Sequence, residues 1–126
     1  MNQRILIIPL AVFLMGFSLF GTPKISFDKK EHDFGKIPQH TVVRAVIPFK
    51  NKGDGTLRIK DVQSSCGCAG SFVTKKAIKP GQESALEIRF NSGEYRGRIV
   101  RYITISTNDP ENEKIEFRIV ADVKGK

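Results

Sequence analysis

The residues with the most chemistry within reach are Cys66 and Cys68, the only two cysteines in the 126-residue chain, with Gly67 between them. In an extended strand, residues i and i+2 share a face with Cα atoms roughly 6.6 Å apart. That is the long end of the roughly 4.4–6.8 Å that a disulfide spans. Gly67 has no Cβ, so the chain can bend there and bring the two sulfurs together. Closing so short a loop is worth only about 1.6 kcal/mol by chain entropy, before any strain is subtracted. A strained bridge is also more easily reduced than a relaxed one. The pair is therefore a weak staple, and other chemistry stands beside that use.

A redox dithiol needs a lowered thiolate pKa, and Lys60, Lys75 and Lys76 are cations near in sequence. Against this, no Cys-x-x-Cys opens a helix. Two soft thiolates at Cys66 and Cys68 could also hold Cu(I). Zinc wants four ligands, and only His32 and His40 are available to complete them, at a spacing that fits no zinc module. The leading expectation is a disulfide or thiol pair that shapes a tight loop, with no cofactor; Cu(I) is the alternative.

A second set, Tyr95, Arg96, Arg98, Arg101 and Tyr102, mixes aromatic and basic side chains and could form a binding surface for a glycan or another anionic partner. Asn108-Asp109-Pro110 and Asp54 read as turn residues. The chain has no Gly-x-Ser-x-Gly elbow, no His-Glu-x-x-His and no phosphate-binding loop, so no enzymatic activity is expected.

Short alternating segments must position these groups. In Thr41 to Lys50, Val43, Ala45, Ile47 and Phe49 fall on one face, the period-2 pattern of a half-buried strand. Pro48 on the opposite face suggests an edge or a bulge. Asn51 to Gly55 is a hairpin turn. Leu57 and Ile59 open the next strand, and the switch to Val62 suggests a bulge just before the cysteines. Ser71 to Thr74, Ser84 to Asn91, Ile99 to Thr107 and Ile115 to Val123 read as further strands, with a Pro80-Gly81 turn between the first two. No segment after the first twenty or so residues holds a 3.6-residue apolar period. About seven antiparallel strands separated by Gly, Pro, Asn and Asp turns predict an all-β, immunoglobulin-like sandwich. It lacks the tryptophan and the widely spaced cysteine pair of antibody domains.

The N-terminus differs from the rest. Arg4 precedes a sixteen-residue run from Ile5 to Phe20 that is interrupted only by Pro9, Gly16 and Ser18. A spanning helix needs about 20 apolar residues, whereas a positive start and a short apolar core fit a secretory signal peptide. Residues 1–21 are assigned to that leader and residues 22–126 to a single domain, with an uncleaved membrane anchor as the alternative. Export implies an oxidising compartment, where the cysteines can be bridged. The chain carries 21 Lys and Arg against 13 Asp and Glu, a net charge of +8. For an exported protein this favours lipid head groups, glycans or acidic proteins over nucleic acid.

The motifs also carry a resemblance. His32-Asp33-Phe34-Gly35-Lys36-Ile37, Phe49-Lys50-Asn51-Lys52-Gly53 followed by Leu57 and Ile59, Ser65-Cys66-Gly67-Cys68, Ile78-Lys79-Pro80-Gly81, and Ile103 through Asn108-Asp109-Pro110 occur in this order. Together they resemble the bacterial family called domain of unknown function 1573, across essentially the whole chain after the leader. Ala69 departs from the pattern, which often has threonine there. The resemblance implies an immunoglobulin-like sandwich related to Hydin-type and choice-of-anchor modules, in an exported bacterial protein. It supplies no function. The expectation is a non-enzymatic binding or assembly module of the periplasm or cell surface, with a protein or glycan partner. A thiol-redox or Cu(I)-binding domain using the Cys-Gly-Cys loop is the alternative.

Overall fold

The computed structural model describes residues 21–125; the leader reading lies outside the described residues apart from Gly21. Among the described residues, nine strands form two sheets: β1 (Ile25–Phe27), β2 (Glu31–Pro38), β3 (Val42–Asn51), β4 (Leu57–Ser64), β5 (Ala69–Val73), β6 (Ala77–Ile78), β7 (Glu83–Asn91), β8 (Gly97–Thr107) and β9 (Lys114–Lys124). One sheet has the order β1-β3-β7-β5, and the other β2-β9-β8-β4-β6. This is the expected immunoglobulin-like sandwich, with two more strands than expected because β6 has only two residues and Glu31–Pro38 forms a full strand.

One pairing is not antiparallel. β2 runs parallel to β9, with His32 opposite Ile119 and Ile37 opposite Val123. After three residues paired to β3, the chain leaves β1 at Phe27 and crosses to the other sheet without reversing direction. It therefore meets β9 running the same way.

Period-2 burial fills the space between the sheets. Phe49 from β3, Leu86, Ile88 and Phe90 from β7, Ile103 and Ile105 from β8, and Phe117 and Val123 from β9 are all fully buried. Phe27 bridges the sheets, with its ring centroid 4.9 Å from Phe49 and 5.8 Å from Phe117. Burial of this many large side chains is the main favourable term, roughly 1.5–3 kcal/mol for each one. Two bulges break the ladders. In β2 the register shifts between Asp33 and Lys36, where Gly35 takes φ 74°. In β4 it shifts between Ile59 and Asp61, which turns Val62 toward the core as its sequence position suggests.

The strand directions gather the β2–β3, β4–β5 and β7–β8 connections at one end of the sandwich. Hydrogen bonds join them there: His40 N to Gly93 O (2.9 Å), Ser92 N to Thr41 O (2.9 Å) and Asn91 N to Cys68 O (2.9 Å). The Cys-Gly-Cys loop is thus part of a bonded three-loop end.

Candidate functional site

The cysteine loop is the crossover from β4 in one sheet to β5 in the other. Cys66 and Cys68 are joined by a disulfide with Cα atoms 5.2 Å apart, closer than a flat strand allows because the chain turns at Gly67. Both cysteines are half-buried against the core. The Ser64 hydroxyl lies within hydrogen-bonding reach of the Cys66 carbonyl (2.9 Å) and the Ala69 carbonyl (2.5 Å), closing the loop from beneath. On one flank Ser65 N donates to Tyr102 O (2.8 Å), and Tyr102 N donates to Ser65 Oγ (3.0 Å). In this bridged form the sulfurs offer no thiolate to a metal; a two-electron reduction would expose two thiols two residues apart.

The histidines do not complete a site with them. His32 stands near the start of β2, its ring edge-on to Phe34 at 4.6 Å. His40 is in the β2–β3 turn at φ 54°, and its Nε2 is 4.0 Å from Glu94. Among the described residues, no three His, Cys, Asp or Glu side chains converge as metal ligands would.

The aromatic and basic set is divided. The Arg101 guanidinium lies over the Tyr95 ring at 5.2 Å and donates to the Val100 carbonyl (2.8 Å). Arg96 packs on Gly125. Arg98 stands opposite Asp122 in the β8–β9 ladder. Tyr102 faces away from the core beside Arg118. The ion pair to Glu31 raises the Arg118 pKa; partial desolvation opposes this, and the Tyr102 hydroxyl adds to the rise. Tyr95 and Arg101 therefore form one cluster at the loop end, while Arg98 and Tyr102 lie on the outer face of the second sheet.

The feature that the sequence only hinted at is an unpaired backbone edge. Asn51 N donates to Gln82 O and Ser92 N to Thr41 O, so the odd-numbered residues of β3 turn their peptide groups to β7. Lys52 N donates to Lys24 O, so the even-numbered residues face the β1 side. β1 pairs only with Phe49 to Asn51. Among the described residues, the N–H and C=O groups of Val42, Arg44 and Val46 therefore have no strand partner. Pro48, which has no N–H, sits where the pairing with β1 ends; its position in the sequence was the available signal. Val42 and Val46 are 49% and 62% exposed, and Phe72 on β5 is 56% exposed on the same outer face. Where the chain crosses from β1 to β2, a cleft of about 260 Å³ opens between Asp28, His32, Ile47 and Pro48.

Comparison with known proteins bears on the fold and the family. A family model described as a protein of unknown function, DUF1573, matches residues 25–123. A search of curated proteins finds no match. Among solved structures, a protein of unknown function from Porphyromonas gingivalis W83 is similar at 22% identity and a TM-score of 0.68, over 82% of this chain and 47% of that one. The VesB protease of Vibrio cholerae is similar at 14% identity and a TM-score of 0.64, over 78% of this chain and 31% of that one. The ASH/PapD-like domain 7 of human CEP192 is similar at 11% identity and a TM-score of 0.62, over 100% of this chain and 98% of that one. The chain spans less than half the length of the first two. At these identities the likeness is one of fold.

Proposed function

The chain belongs to the DUF1573 family of proteins of unknown function, and from that premise we propose that it is an exported, non-enzymatic binding or assembly module of the bacterial periplasm or cell surface. Its partner is a protein. The observation that carries this reading is the unpaired stretch of β3 with exposed Val42 and Val46 on it, on a strand whose other side is paired to β7 throughout and whose inward residues Ala45 and Phe49 are buried in the core. Main-chain groups presented in this way favour a polypeptide over a glycan, because a peptide supplies donors and acceptors at the strand repeat. The PapD-like likeness supports the fold behind this reading, while the protease likeness covers less than a third of that chain.

The leader reading gives the location. A basic start and a short apolar run support export, and a half-buried disulfide suits an oxidising compartment. The test is fractionation of the expressing bacterium, with the mass of the recovered chain, followed by in-cell photo-crosslinking from position 72. A chain starting near Thr22, found in the envelope and forming a discrete protein adduct, is the expected result. A cytoplasmic chain that still carries residues 1–21, or one that forms no adduct, would contradict it.

A further inference from the structure

We propose that the open edge of β3 is a strand-addition site for an extended segment of a partner protein that alternates apolar and acidic residues. This rests on the binding-module reading and names the chemistry of its ligand. The extended conformation follows from the backbone. Val42, Arg44 and Val46 offer three N–H donors and three C=O acceptors at the two-residue repeat of a strand. A fifth strand laid here continues the line of β1 along the same side of β3.

The alternation follows from what lies on each side of that line. Toward the core, Val43 and Ile47 on β3 and Phe34 on β2 are only half-buried, and the cleft at Ile47 and Pro48 continues the same seam. Inward side chains of an added strand would cover these groups. Toward solvent stands Arg44. Its direct neighbour across the ladder is Arg89 of β7, and across from Arg89 on the far side is Gly70, which offers no side chain. Directly opposite positions hold Cβ atoms about 4.5–5.5 Å apart, where like charges destabilise a sheet. Among the described residues, neither arginine forms an ion pair. A carboxylate on the incoming strand opposite Arg44 would relieve that repulsion.

A proline and a charge can also serve simply to keep an edge from pairing. Here the outward residues on both sides of Arg44 are exposed valines, not further charges that would turn an incoming strand away. Two other occupants fit less well. Residues 1–20 contain no Asp or Glu to meet Arg44, and a second copy brings the same +8 charge.

The test uses the full chain, expressed in an exporting bacterium and purified as the cell leaves it. The probe is a synthetic peptide alternating valine and glutamate, with a valine–lysine peptide as control. Titration is followed by amide NMR and hydrogen exchange. Saturable binding of the glutamate peptide, with new protection at Val42, Arg44 and Val46, is expected. Val46→Pro removes a donor that faces away from β7, so the ladder to β7 stays intact, and it should weaken binding at least tenfold. Arg44→Glu should weaken it similarly and shift the preference to the lysine peptide.

Binding that ignores both substitutions, or no binding, overturns the site. So does protection of these amides without peptide: if it grows with protein concentration, a second copy is the occupant, and if it does not, in a protein whose mass shows residues 1–20 retained, those residues are. Crosslinking in cells separates this proposal from the reading beneath it. Adducts that persist unchanged in Val46→Pro remove the edge site and leave the binding module standing. No adduct from either chain removes both.

Discussion

The carboxylate of Asp109 accepts a hydrogen bond from the backbone amide of Ile25 at 3.0 Å, across 84 residues of sequence. Asp109 is buried in the β8–β9 turn, and it also receives Glu111 N (2.9 Å) and Asn112 Nδ2 (3.1 Å). It thereby ties the first strand to the far end of the chain. Burial pushes its pKa up, but the bonds from Ile25, Asn112 and Glu111 outweigh burial and hold it below the ordinary carboxylate value. A depressed folded pKa means stability that is present above the unfolded value, about 3.9, and lost as pH falls through the folded value. Urea midpoints should therefore drop below about pH 4 in the wild type. Asp109→Ala should lose about 3 kcal/mol at pH 7, since three donors lose a charged acceptor, and should show a smaller further loss in acid. Equal acid slopes for the two proteins would assign the acid loss to other groups.

Asn51 does comparable work at the same end. It is fully buried; its Oδ1 accepts from Lys24 N (3.1 Å) and Gly53 N (3.0 Å), and its Nδ2 donates to Gly55 O (2.7 Å) and Ile78 O (2.8 Å). All four hydrogen-bonding positions of the amide are filled. Asn51→Ala should cost about 3 kcal/mol through the unpaired groups it leaves. Asn51→Asp keeps the acceptor, loses both donors and buries a charge, so it should be more destabilised at pH 7 than at pH 4. Denaturation at the two pH values checks both; an aspartate variant indifferent to pH would show that the site admits water.

These two residues mark the limit of what the sequence made legible. The strands were readable because Leu86, Ile88 and Phe90, or Phe117 and Ile119, alternate locally with polar residues, and alternation is a property of neighbours. Val62 betrayed its bulge and Pro48 its edge in the same local way. Asn51 and Asp109 looked like turn residues, and they do lie at strand ends. Their partners come from segments that only the tertiary fold brings together, so no local pattern exposes their role. How far the β3 edge stays unpaired was hidden for a related reason. It depends on β1 stopping after three residues and crossing sheets, which leaves no periodic trace. At the cysteine loop the spacing left a bridge and a free thiol pair both open, and it held no sign of the Ser64 and Tyr102 contacts that surround the bridge.

That bridge should matter less for stability than either polar anchor. Cys66→Ser with Cys68→Ser removes a constraint worth at most about 1.6 kcal/mol, while the Ser64 hydroxyl still reaches the Cys66 and Ala69 carbonyls. The double variant should unfold at a slightly lower urea concentration with an unchanged slope. A loss larger than that of Asn51→Ala would mean that the two half-buried sulfurs contribute packing beyond the link itself.

Gly35 gives the last prediction, because there the backbone conformation alone is at stake. It sits at φ 74° in the β2 bulge, and a Cβ added to it would meet nothing within 4 Å. Space therefore does not forbid a side chain, but the left-handed conformation does, at roughly 1–2 kcal/mol for an ordinary residue. The Asp33 carboxylate accepts the Gly35 amide at 2.7 Å and fixes that conformation. Gly35→Ala should lose about 1–2 kcal/mol, and Gly35→Asn less, since asparagine enters this region more readily. The bulge sets the register by which Ile37 reaches the core opposite Val123. If alanine is accommodated by flattening the bulge instead, β2 slips by one residue and Ile37 turns to solvent. Hydrogen exchange at Lys36 and Ile37 distinguishes the two responses: retained protection with lower stability means strain, and lost protection confined to β2 means a slipped register.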